Sequence, residues 1–356
     1  MARMRLRTGV IAIIAAVLVV TGGLAFSRTS HDARAPLAQA LDLMPPETRV
    51  AGFTDWAQIR STLDLGRVTT ATDRGTLVSG AFERDLSARS ILESFTPTMV
   101  AKYGWSIADL QWEMYGQAST GAVLAAGMSD DLKAAKVTSD LRKLGYVEKD
   151  GSWSLGIDQL AFVAPGLPGT LANIAVLGNE RLILASDSAT YLGGVLAMHR
   201  EHDKSLAAVT AVRETATPLL GAQSAAIQVK NDACKSTGLA GETAEVQAQG
   251  RNTVKPLGTL VAVEYGARAI FDRAGDQRLR FSMTFGSAAA ATRQLKLRSA
   301  LSTGPFVGRI GQIGDVLTLT SAHTTGSNAT LDFAVDPNKG SFMDGEGPLL
   351  FAACSS

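Results

Sequence analysis

The stretch AVLAAGMSDDLKAAKVTSDLRKLGYVEKDGSWS, residues 122–154, decides the fold. Residues 123–126 are uninterruptedly apolar and short, as in a buried strand. Ser129 and Asp130 follow, residue types whose side chains accept the orphan N–H groups of a first helical turn. Ala134, Val137, Leu141 and Leu144 then recur at helical spacing, while Lys133, Lys136, Asp140 and Lys143 face away. Gly145 ends that helix, which is expected over 130–144. Asp150-Gly151 next joins YVEK to SWSLG, a pair suited to the positive φ of a two-residue hairpin turn.

Working outward, the same strand-to-helix joint recurs. Residues 50–53 lead through Thr54 and Asp55 into WAQIRSTL. Residues 182–185 lead through Ser186, Asp187 and Ser188 into ATYLGGVLAM, and residues 281–285 through Gly286 and Ser287 into AAAATRQLKLRSAL. Gly178-Asn179 reads as a second two-residue hairpin turn, and TTGSN joins LTLTSAH to ATLDFAV as a third hairpin. The first half thus predicts a strand at 50–53, a helix, strands near 111–117 and 121–127, the helix 130–144, and strands near 146–149 and 153–156. The second half predicts a strand at 224–229, a helix near 239–250, strands near 258–265 and 278–285, a helix at 287–302, and strands near 316–322 and 329–335. Both spell β-α-ββ-α-ββ. An extra helical insertion falls at 81–102, and residues 172–220 bridge the halves. Hairpins demand antiparallel pairing, so the expected class is α+β: antiparallel sheets with helices packed on one face, in duplicated lobes at 41–203 and 204–356.

Ahead of the lobes, Arg3, Arg5 and Arg7 precede an uncharged run at 9–26, GVIAIIAAVLVVTGGLAF. At about 1.5 Å rise per residue such a run just spans a thin bilayer. Arginines stay on the cytoplasmic side, so the rest of the chain is expected outside it. Residues 1–8 are then cytoplasmic, 9–26 a transmembrane signal anchor, and 27–40, small and polar, a flexible tether. A cleaved signal peptide is the alternative, with Gly23 and Ala25 flanking Leu24 at the cleavage site. Cys234 and Cys354 are the two cysteines of the chain, and in an oxidising compartment an even pair is expected to form a disulfide. Two buried thiols are the alternative.

The export segment, the opening LDLMPPETRVAGFTDW (41–56), the joint ILASDSATYL (183–192) and the close GPLLFAAC (347–354) resemble uncharacterised envelope proteins of high-GC Gram-positive bacteria. The β-α-ββ-α-ββ order is similar to that of the membrane-anchored DUF3352 family. Neither resemblance implies particular catalytic residues.

The 356 residues are 46% hydrophobic and 19% charged, enough for a core and against global disorder. A net charge of +1 lacks the basic excess that phosphate neutralisation requires, so no nucleic-acid partner is expected. His199 and His202, in HREHD, share a helix face, but a charged, solvated helix end accounts for them better than a metal site. His31 and His323 stand alone. Lys235-Ser236-Thr237-Gly238 lacks the preceding glycines of a P-loop, and G-x-S-x-G, S-x-x-K and G-x-G-x-x-G are absent. DPNKGSFMDGE, with Asp336, Asn338, Asp344 and Glu346, misses EF-hand spacing and reads as a polar turn. Tyr103, Trp105, Trp112 and Tyr115 read as core rather than as a stacking patch, because Trp112 and Met114 alternate with Gln111 and Glu113. No catalytic, cofactor or metal residue is therefore assigned. The expectation is a non-enzymatic binding or scaffolding protein of the cell envelope, on the membrane, with an envelope protein or lipid as partner. The alternatives are a carrier of lipid or hydrophobic ligand, and a hydrolase whose site is assembled from distant residues.

Overall fold

In the computed structural model, which describes residues 34–273, 275–336, 343 and 348–354, twelve strands join edge to edge in an antiparallel sheet. The first half contributes β1 (Val50–Thr54), β2 (Leu110–Gln117), β3 (Ala122–Met128), β4 (Val147–Lys149), β5 (Ser152–Ser154), β6 (Asn173–Leu177) and β7 (Leu182–Ser186). The second contributes β8 (Ser224–Val229), β9 (Tyr265–Arg273), β10 (Asp276–Thr284), β11 (Leu317–Thr325) and β12 (Asn328–Val335). Their order across the sheet is β11-β12-β10-β9-β8-β1-β2-β3-β7-β6-β5-β4. Outward from the β1–β8 seam, each half lays down its strands in the same sequence, except that the β6–β7 hairpin is inserted between β3 and β5. The two expected lobes therefore meet inside one sheet, with Gly52 paired to Ala226 at the middle of the seam.

The helices are α1 (Pro36–Leu41), α2 (Trp56–Thr62), α3 (Ala71–Glu83), α4 (Thr96–Thr98), α5 (Ala134–Lys143), α6 (Ile157–Val163), α7 (Ala189–Glu201), α8 (Thr210–Ala216), α9 (Lys230–Thr237), α10 (Ala244–Val254) and α11 (Ala288–Leu301). They cover both faces of the sheet, which corrects the expectation of one. Trp56 of α2, Leu77 of α3, Val137 of α5 and Leu297 of α11 pack with Leu124, Ile183 and Phe281. On the opposite face Leu37 of α1, Leu192 of α7 and Val212 of α8 pack with Phe53, Val123 and Leu184. The bridge carries α7 and α8 back across that second face. Accordingly β3 is buried at every position, which is what its unbroken apolar run requires of a strand covered twice.

Three of the four strand-to-helix joints are capped as expected. Asp55 accepts the Gln58 N–H (2.9 Å), Ser188 that of Tyr191 (3.2 Å) and Ser287 that of Ala290 (3.2 Å). The fourth differs. The helix begins at Ala134 after Lys133, because the Ser129 N–H goes to the Asp109 carbonyl and the Asp130 carboxylate pairs with Arg181. Asp150 (φ 51°) and Gly151 (φ 79°) form the expected turn. Gly178-Asn179 instead opens a four-residue link between β6 and β7, and the positive φ falls on Arg181 (58°).

Two larger corrections concern extended and helical segments. Residues 258–263, expected within a strand, pair with no strand; Glu264 donates its N–H to the Thr284 carbonyl of β10, and β9 begins at Tyr265. Side chains of α11 bind this segment's backbone instead. Gln294 accepts the Val261 N–H (3.1 Å) and donates to the Thr259 carbonyl (2.9 Å), while Arg298 donates to the Val261 carbonyl (2.9 Å). The insertion expected at 81–102 begins earlier, with α3 at Ala71 capped by the reciprocal Thr70–Asp73 pair, and ends in a wide helical turn at Met99–Tyr103. Gly75 and Gly80 had hidden that helix, since glycine disfavours helix interiors.

The 9–26 run and residues 27–33 lie outside the described residues. Among the described residues no helix is long and apolar enough to cross a membrane. The segment expected as a tether overlaps α1, which spans Pro36–Leu41, and Leu37, Ala40 and Leu41 are buried against the second core. Pro36 occupies its first turn, where a missing N–H costs nothing. At the other end, Cys234 and Cys354 are paired at disulfide distance with Cα atoms 5.1 Å apart. Thr237 donates to the Ala352 carbonyl (3.1 Å) and Arg298 to that of Phe351 (2.9 Å), and the Phe351 ring sits edge-on to Phe281 at 5.0 Å.

Two predictions follow from these ends. A chain shortened to begin at Leu41 should unfold at lower denaturant than one beginning at Arg34, because burial of Leu37 alone is worth about 1.5–3 kcal/mol; equal midpoints would mean that α1 does not pack. The full chain, alkylated while denatured and unreduced, should show no modified cysteine by intact mass. Cys234→Ser should then expose Cys354 to alkylation and lower the unfolding midpoint, with an upper bound near 4–5 kcal/mol for a loop of about this length.

Candidate functional site

The β1–β2 connection is the longest departure of the first half from the second. Where the second half carries α9 and α10, the first carries α2, α3, α4 and the turn that ends at Tyr103. Two adjoining depressions form on it. One is a groove of about 680 Å³ between α3 and α4, walled by Ala71, Gly75, Val78, Phe82, Pro97 and Val100. Phe82 is 71% exposed there, a large aromatic surface left in water. A Cβ added at Gly75 would meet no atom within 4 Å, so the groove is open above it. Glu93 stands on the same wall, and burial raises its carboxyl above the usual range.

The second depression is a polar cleft of about 430 Å³, with Arg60, Arg67, Arg74, Trp105, Asp109 and Asp131 on its walls. Arg74 and Val100 belong to both, so the two adjoin. Arg60 reaches across from α2 and donates to the Leu110 carbonyl (2.8 Å). Burial pulls its guanidinium below the ordinary arginine value, while Asp55 and Asp109 oppose that shift. Arg67 pairs with Asp131 (2.9 Å), Arg74 donates to the Thr69 carbonyl (2.8 Å), and Asp109 accepts the Ser106 N–H (2.9 Å). The Trp105 indole N–H has no acceptor. Sequence reasoning missed this site. One signal was available: Arg60, Arg67 and Arg74 recur every seventh residue in a chain otherwise balanced in charge.

Two buried carboxyls lie deeper and line neither depression. Asp55, the cap of α2, is pushed up to about 6 by burial, with Gln58 and Arg60 opposing. Glu113 of β2 is pushed up to about 7 by burial, which its hydrogen bonds only partly offset. Its Oε1 accepts the Ile91 N–H (3.0 Å) and its Oε2 has no partner at bonding distance; the Trp56 indole is near enough to soften the shift but does not close a bond.

The residues singled out from sequence have structural employment. His199 pairs with Glu180, and His202 (φ 55°) ends α7 in the left-handed conformation, so the two do not share a site. Among the described residues no group of three or more His, Cys, Asp or Glu could hold a metal ion. Ser236 donates to Gln228 (2.9 Å) and Thr237 to the C-terminal segment, so KSTG is a fastening of α9. Tyr103, Trp105 and Trp112 are buried, and the Tyr103 and Tyr146 hydroxyls share a hydrogen bond (2.9 Å). His323 lies exposed on β11, at the sheet edge. His31, Asn338, Asp344 and Glu346 lie outside the described residues.

No family model matches the chain, and no curated protein does. Among solved structures, crystal form I of TP0453 is similar at 9% identity with a TM-score of 0.42, covering 88% of this chain and 96% of that one. Crystal form III of TP0453 gives 9% identity and a TM-score of 0.41, covering 84% and 95%. Likeness at this level assigns no function.

The buried carboxyls predict a pH dependence. A folded pKa raised above the unfolded value means that the native state binds the extra proton, so stability is greatest below the unfolded pKa and falls as pH rises through the folded one. Urea midpoints should therefore decline between about pH 5 and pH 8. Glu113→Gln should flatten that decline by on the order of 2–3 kcal/mol; an unchanged slope would show that Glu113 is already ionised across the range.

Proposed function

We propose that this chain is a membrane-anchored, extracytoplasmic binding protein of the cell envelope with no chemistry of its own, and that the β1–β2 connection carries its binding surface. The observation behind this reading is the open apolar groove beside exposed Phe82. Apolar surface of that kind is costly to leave in water and marks sites of association. Arg3, Arg5 and Arg7 ahead of the 9–26 run support the address. Against hydrolysis stands the placement of Asp55 and Glu113: the carboxyls whose protonation is most perturbed line neither the groove nor the cleft. A second reading, carriage of a hydrophobic ligand, draws support from the groove's size, which falls within the range of about 300–1,000 Å³ typical of small-molecule sites.

Two measurements test this. In spheroplasts, added protease should remove the folded part of the full chain; protection until lysis would overturn the address. A photo-crosslinking amino acid placed at Phe82 of the full chain in living cells should capture a defined partner. The same probe at Ile310, fully exposed on the other half, should not. Equal capture at both positions, or loss at neither on Val78→Asp, would overturn the surface.

A further inference from the structure

Resting on that reading, we infer that the joined groove and cleft bind an anionic amphiphile, its apolar tail along α3 and α4 and its negatively charged head against Arg60 and Arg74. Adjacency carries the first part of the inference. An apolar trough and a polar cleft that share Arg74 and Val100 present one ligand with two solvents in sequence. A purely apolar ligand would leave the cleft's donors unused, and a small polar ion would leave the trough in water.

The sign of the head follows from a census of the cleft's charges. Asp131 is held by Arg67, and Asp130 by Arg181 from outside the cleft. Asp109 is close enough to act on Arg60 but makes its hydrogen bonds to Ser106. Arg60 and Arg74 have no carboxylate at salt-bridge distance among the described residues. The hydrogen bonds described for them use only Nη1, on the carbonyls of Leu110 and Ile107 for Arg60 and of Thr69 for Arg74. A guanidinium has five N–H donors, so each keeps donors for a carboxylate or phosphate, which it can grip in bidentate fashion. Glu93 lines the groove and not the cleft, so it stands beside the tail rather than the head.

The test uses the full chain in nanodiscs of zwitterionic lipid and two diazirine-bearing C12 probes, one with a carboxylate head and one with an alcohol head. The carboxylate probe should label the peptide covering 71–103, and excess dodecyl phosphate should compete it away. Arg74→Gln, and separately Arg60→Gln, should each lower that labelling about tenfold, the equivalent of one charge-assisted contact, while labelling by the alcohol is unchanged. Val78→Asp should lower labelling by both. Arg74 lies on the surface of α3, so its variant keeps the test decisive if loss of the Arg60–Leu110 bond unfolds the chain; thermal midpoints separate the two cases. Equal labelling by alcohol and carboxylate would overturn the anionic head and leave the groove standing. Competition by inorganic phosphate as effective as by dodecyl phosphate would overturn the amphiphile in favour of a free anion. No labelling at 71–103, with Phe82 crosslinks intact, would overturn this inference alone; failure of both would overturn the proposed surface as well.

Discussion

Antiparallel pairing of β1 with β8 is the constraint on which the rest of the structure depends. It converts two five-stranded halves and an inserted hairpin into one sheet, and it places VAGFT and SAAIQV at the centre. A central strand is covered on both faces, so its side chains must be apolar, or small where something comes close. Gly52 shows the second requirement. A Cβ there would sit 3.2 Å from the Arg89 carbonyl oxygen, so the bare backbone lets the insertion settle directly on the seam. The β1–β2 connection is thereby anchored at the middle of the sheet, and its outer surface, α3 and α4, is what remains to meet solvent.

Buried polar groups help to close the second half. Arg298 is buried without a carboxylate, and burial pulls its guanidinium down to about 9. An unpaired buried charge is expensive. It is retained because its donors reach two carbonyls, those of Val261 and Phe351, that no strand would satisfy, and because its guanidinium lies over the Phe285 ring at 5.4 Å. One side chain thus ties the segment before β9, helix α11 and the disulfide-linked C-terminal residues together. On the opposite face Asn328 bonds Ser282 (2.9 Å) and Thr284 (3.1 Å), and Thr284 bonds Thr215 of α8 (2.7 Å), so hydroxyls and an amide seat α8 in place of methyl groups.

The alternation of strands and capped helices was legible because it rests on local chemistry. Asp55, Ser188 and Ser287 cap helices through N–H groups three residues away, and Asp150-Gly151 turns on its own backbone preference. What could not be read depends on distant partners. TLVAVE before β9 has the β-branched composition of a strand, yet its backbone groups are taken by Gln294 and Arg298 from a helix more than thirty residues on. The second helical layer was legible in principle from β3, whose seven residues offer no polar face to water. The candidate site was least legible. Its groove arises where α3 and α4 fail to fill the space between them, and a gap has no signature in one sequence.

That gap also explains why the site sits where it does. Positions that build the seam and its two cores are fixed by packing: removing a buried group there costs about 2–5 kcal/mol, a large share of a domain's total stability. The α3–α4 layer is held by few such positions. Leu77 and Ala81 of α3 face the core, while Gly75, Ser79 and Phe82 do not. Its outer face is free to carry an apolar trough and Arg74, whose described hydrogen bond uses Nη1 alone, without loosening the sheet beneath. The second half, whose equivalent connection is α9 with its disulfide and α10, spends those residues on fastening the chain's end. Two halves with one element order have thus divided their β-to-β connections: one closes the fold, and the other leaves an apolar trough open to solvent.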